Sequence, residues 1–155
     1  MSVALPETTL VDSAALGRAQ RNLQTHTSPA ADTDFTLTLD PRYVWRFLSV
    51  YCTLTTESTA GNRELTLQYL NGNGNVFDEM GAATTVPASQ TYTYTFSAFQ
   101  GVAEFPVNGG IIIPLHPVFL EGGLSVRLHL VGGKTSDTIT TIRTYSEQWF
   151  TDFAR

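Results

Sequence analysis

From Asp34 onward, apolar residues recur at every second position, the spacing of strands whose side chains alternate between two faces. Phe35, Leu37 and Leu39 alternate with threonines, and Asp40-Pro41 then turns the chain. Leu65, Leu67 and Tyr69 form another such run, ending at NGNGN over residues 71–75. Asn and Gly accept positive φ, so this predicts a hairpin with a short return strand from Val76 to Met80. Tyr92, Tyr94 and Phe96 alternate with threonine, the pattern of a half-buried strand. Ile111, Ile113 and Leu115 are interrupted by Pro114, which predicts a strand at a sheet edge or bend. Leu124 to Leu130 and Thr138 to Trp149 supply the last two strands. The reading is an all-β fold: an antiparallel β-sandwich, jelly roll of about eight strands, with an extended N-terminal arm.

The segment YVWRFLSVYCTLTT, from Tyr43 to Thr56, is apolar on both faces. Strict alternation puts Val44, Leu48, Val50, Cys52 and Leu54 on one face with Arg46, and Tyr43, Trp45, Phe47, Tyr51 and Thr53 on the other. The aliphatic row is assigned to the core. The aromatic row is expected beneath the arm or a neighbouring subunit, because the outer face of an antiparallel sheet is normally polar.

Residues 1–33 are poor in large apolar residues and contain no aromatics. Leu10, Ala14, Ala15, Ala19 and Leu23 fall roughly at helical spacing, but Gly17 and the thin apolar stripe leave any helix marginal in isolation. The chain therefore divides into an arm, 1–33, that orders on a partner, and a domain, 34–155, expected to fold without it.

At 155 residues the chain suits one well-buried domain. A net charge of -5 with eight arginines and one lysine, Lys134, gives no basic stripe for nucleic acid. No apolar run approaches membrane-spanning length, and the start lacks a secretory pattern, so the expected site of synthesis is the cytoplasm. The single cysteine, Cys52, reads as a small buried hydrophobe. His26, His116 and His129 are scattered without metal-ligand spacing. Asp78 and Glu79, adjacent on a strand, point to opposite faces and form no dyad. No nucleophile elbow, phosphate loop or dinucleotide fingerprint occurs. The expectation is a non-enzyme with no catalytic residues, metal or cofactor.

The stretch from Phe47 to Met80, with QTYTYTFS, IIIPLHPVFLEGG and LSVRLHL behind it, resembles small virion structural proteins of tailed bacteriophages over about residues 34–150. The resemblance is greatest to capsid cement or decoration proteins. It implies a jelly-roll protein of the virion that clamps neighbouring major capsid proteins and associates with copies of itself as a dimer or trimer. A head-to-tail, tail or baseplate component is a second reading, and a carbohydrate-binding sandwich a third. The expected contact residues, chosen from the pattern alone, are Leu10, Leu16, Arg18, Arg21 and Leu23 in the arm, and Tyr43, Trp45, Phe47 and Tyr51 on the aromatic row.

Overall fold

The computed structural model describes residues 19–99 and 109–151. They form ten strands: β1 (Gln20–His26), β2 (Phe35–Thr38), β3 (Tyr43–Thr55), β4 (Glu64–Leu70), β5 (Val76–Gly81), β6 (Thr91–Ser97), β7 (Gly110–Pro114), β8 (Leu120–Glu121), β9 (Ser125–Val131) and β10 (Thr138–Phe150). One sheet has the order β1-β10-β3-β6-β7, with β8 joined to β3, and the other the order β2-β9-β4-β5.

With β7 and β8 set aside as insertions, β1 pairs with β10, β2 with β9, β3 with β6 and β4 with β5. That is one long antiparallel hairpin rolled up so that β10 also meets β3 and β9 also meets β4. The result is the jelly-roll order. NGNGN closes the β4–β5 hairpin: Asn71 Oδ1 accepts the N–H groups of Asn73 and Asn75, at 3.0 and 2.9 Å. β7 is the edge strand that Pro114 predicts, and it runs parallel to β6.

Two expectations change. Residues 20–26, assigned to the arm, are β1, the strand that completes the roll, and Leu23 lies on that strand rather than on a helix. Residues 1–18, with Leu10, Leu16 and Arg18, lie outside the described residues. The second change concerns β3. Ser49 pairs with Tyr145, yet Phe47 pairs with Ser146, so Leu48 is an extra residue on β3. Such a bulge shifts the alternation by one. Trp45 and Phe47 therefore face inward with Val50, Cys52 and Leu54, at 5 % and 1 % exposure, while Val44 and Arg46 turn outward. The expectation that Trp45 and Phe47 lie beneath the arm or a partner is wrong, because both belong to the protein's own core.

A second bulge on β10 offsets the first. Thr140 pairs with Thr53 and Arg143 with Tyr51, and Thr141 takes φ 53 in between. Ile139 and Ile142 both stay inside as a result.

At one end of the roll a fully buried pair ties the β3–β4 and β9–β10 connections together. Arg63 Nε donates to Asp137 Oδ2 at 2.8 Å, and Arg63 Nη1 donates to the carbonyl of Thr59 at 2.9 Å. Asp137 also accepts the N–H groups of Glu57 and Lys134, at 2.7 and 2.8 Å. Burial raises the Asp137 carboxyl, but these hydrogen bonds outweigh it and hold the group below its ordinary value. At the other end Gly122 is required by a close approach, since a Cβ there would lie 2.2 Å from Cα of Pro41.

Candidate protein-binding face

The outer face of the larger sheet is built from three strands. The register brings Arg21 beside Glu147, Leu23 beside Tyr145, Glu147 beside Arg46 and Trp149 beside Val44. Side chains of paired residues share a face, so β1, β10 and β3 present Arg21, Leu23, Tyr145, Glu147, Trp149 and Arg46 together.

Glu147 is the hub. It lies mostly buried between two arginines, accepting from Arg46 Nε at 3.0 Å and from Arg46 Nη2, with Arg21 Nε 3.6 Å away. Held this way, the Arg46 guanidinium lies over two rings, 5.5 Å from the centroid of Phe119 and 5.6 Å from that of Trp149. The two rings meet at 5.3 Å and 58°. A cation over an aromatic face is attractive, and the fork geometry of arginine allows ion pairing and ring contact at once. Phe119 is nonetheless 60 % exposed and Leu23 71 %. Further along, Arg143 sits 6.0 Å from the ring centroid of Tyr51.

On the inward side at the start of β3, Tyr43 meets Phe150 at 5.4 Å, and Arg42 lies over Tyr43 at 5.7 Å. Arg42 also holds Asp40 Oδ2 at 2.6 Å. Hydrogen bonds from Arg42 keep the Asp40 carboxyl down at about 2.

Of the contact residues expected from sequence, the structure brings Arg21, Leu23 and Tyr51 onto this outer face, turns Tyr43 inward where it packs partly buried against the core, and buries Trp45 and Phe47. Sequence reading missed Arg46, Phe119, Glu147 and Trp149. Arg46 was legible only with the bulge known, and Phe119 arrives from an irregular segment between β7 and β8.

The remaining polar groups suit structural roles. His26 Nε2 lies 2.8 Å from Thr144 Oγ1, and burial lowers the imidazole pKa. His116 Nδ1 is 2.7 Å from Asp78 Oδ2, and His129 Nδ1 is 2.8 Å from Asp34 Oδ2. Among the described residues no group of three or more His, Cys, Asp or Glu could hold a metal ion. The Cys52 thiol is enclosed, and burial pushes its pKa well up. No helix among the described residues is long and apolar enough to cross a membrane.

No known family matches this sequence, and no curated protein matches it. Among solved structures the chain is similar to dimeric latent PorU from Porphyromonas gingivalis, at 9 % identity and a TM-score of 0.39. That match covers 85 % of this chain and 13 % of the PorU chain.

Proposed function

We propose that this protein works by binding other proteins, and that it is a structural component of a tailed-bacteriophage virion, a cement or decoration protein that staples neighbouring major capsid proteins. The observation that supports the binding role is the Arg46–Phe119–Trp149–Glu147 cluster, with Leu23 and Phe119 standing out of a sheet face. Rings and arginines are the residues that dominate protein interfaces. Here the arginine is already fixed, so little side-chain entropy is lost on contact. The virion assignment rests on the sequence resemblance. Binding alone is the mechanism: a ligand that engages only the assembled shell favours it by mass action, and many copies add avidity.

A tail or connector component is the alternative, and copy number per particle separates them: hundreds for a shell protein, about six or twelve for one on the tail axis. A sugar platform is disfavoured by Arg46, which takes one face of both Phe119 and Trp149. Electron cryo-microscopy of the virion tests the proposal. Density for this protein between capsomers is the expected result, and a shell without it overturns the cement reading.

A further inference from the structure

Among the described residues the two sheet paths end in four strands, and three of them carry devices that hinder strand addition. β7 ends in Pro114 and begins with Gly110. β5 is acidic at Asp78 and Glu79 and bulged at Phe77, where Tyr69 pairs with Asp78 but Leu70 with Val76. β2 is only four residues long. Proline, repelling charge, bulges and short length are the usual protections of an exposed edge. β1 has no proline, no bulge and no short length, and its one charged residue, Arg21, lies 3.6 Å from Glu147 of β10. The β1 sequence, QRNLQTH, contains no proline and no acid, and it pairs with β10 over seven consecutive positions without a register shift. On its other side it pairs with no strand among the described residues.

We propose that β1 is a homodimerisation edge, where two copies pair antiparallel across a two-fold axis to make one continuous sheet. A two-fold axis perpendicular to the sheet keeps every side chain on its own face, so it must pass through a residue position rather than between two. Centring it on Leu23 uses all seven residues. Leu23 then faces Leu23 of the second copy, Arg21 faces Thr25, Asn22 faces Gln24 and Gln20 faces His26. No like charges meet. Leu23, which is 71 % exposed, gains an apolar partner, and the outward N–H and C=O groups of β1 gain bonds. This contact is isologous, so it closes at two copies. The inference is independent of the virion assignment, since it concerns the purified protein with itself, and the Phe119 cluster plays no part in it.

The test uses the purified full chain. In sedimentation velocity, its apparent mass should rise with concentration toward twice that of one chain. Leu23→Lys sets two ammonium groups face to face and should weaken the dimer about tenfold or more. Near-ultraviolet circular dichroism should show the variant folded, because Leu23 is exposed. Register is read by cysteines under an added disulfide-forming oxidant, which takes two electrons and two protons from each pair of thiols that links. Leu23→Cys should link to itself. Arg21→Cys and Thr25→Cys should each stay single but link when mixed. The enclosed Cys52 stays out of this reaction. A wild type that remains monomeric at its highest soluble concentration, a Leu23→Lys protein that dimerises as the wild type does, or equal linking by all three cysteines overturns the proposal.

Discussion

The outer faces of the two sheets use their polar groups in opposite ways. On the β2-β9-β4-β5 sheet they are turned on one another. Arg127 Nε donates to Gln68 Oε1 at 2.8 Å, Gln68 Nε2 donates to Glu79, and Thr66 adds a longer bond to the same carboxylate. Asp34 takes His129 at 2.8 Å and the N–H of Leu130 at 3.1 Å. Thr66 and Gln68 end up buried although they point away from the core. On the larger sheet, Glu147 likewise satisfies Arg46, but the product is a fixed cation beneath two rings, one of them largely in water. A face whose donors and acceptors are mutually satisfied has little left for a partner and contributes to folding. A face that presents rings backed by a fixed charge keeps its apolar area for association.

The comparison depends first on which aromatics lie outside. Phe47 is inside, stacked on Trp45 at 6.2 Å. Replacing it with alanine should cost about 3–5 kcal/mol of stability in the free protein, the usual range for a buried phenylalanine. Urea unfolding of the isolated chain measures this. An unchanged midpoint would return Phe47 to the outer face and undo the contrast.

Asp137 comes next, as a carboxylate with internal partners only. Asp137→Asn removes the charge facing buried Arg63 and should cost about 3 kcal/mol at neutral pH. Because the folded pKa is depressed, the contribution of the ionised group is complete above the unfolded value of about 3.9 and is lost as pH falls through the folded value. The wild type should thus lose stability below about pH 4, and the variant should lose less. Asp40 is depressed as well, but it stands in water beside Arg42, where solvent screens the pair. Asp40→Asn should leave the acid limb of the unfolding curve where it was.

On the polar face, Gln68→Ala leaves Glu79 and Arg127 each short of a partner. A cost of about 1–3 kcal/mol is expected in thermal or urea unfolding. Particle binding should not change; a loss of binding at preserved stability would show that this face is the contact surface.

The limits of sequence reading follow from the same residues. Period-two patterning exposed β3, β4, β6 and β9, and NGNGN with Pro114 marked a hairpin and an edge, because each of these signals is local. A bulge has no comparable local signature. Leu48 is an ordinary strand residue, and only its pairing opposite Tyr145 and Ser146 shows that it is extra. That one residue moved Trp45 and Phe47 inside and Arg46 outside. β1 was hidden for another reason: as a sheet edge it turns the polar Asn22, Gln24 and His26 inward, opposite Ser146, Thr144 and Ile142, so it lacks an apolar period. The count of about eight strands held for the roll only because β7 was included and β1 left out. The Phe119 cluster needs side chains from three separate segments to converge, which no spacing along the chain can announce.

The smallest effect on folding, and the most direct test of the contrast, belongs to Phe119→Ala. Its ring is mostly in water, so the free protein should change by no more than about 0.5 kcal/mol. Binding should suffer far more, by roughly tenfold or greater in occupancy on particles stripped of this protein, as expected for an interface ring flanked by a fixed arginine. Salt sharpens the reading. Arg46 and Arg21 already face Glu147 within the protein, so contact with a partner replaces no ionic bond. Exposed charge pairs are screened within about 8 Å at physiological ionic strength, whereas ring burial is not. Occupancy titrated from low to molar sodium chloride should therefore stay nearly constant for the wild type and uniformly reduced for the variant. A wild-type affinity that collapses with salt, together with an unaffected Phe119→Ala protein, would mean that the arginines bind partners directly and that the rings only support them.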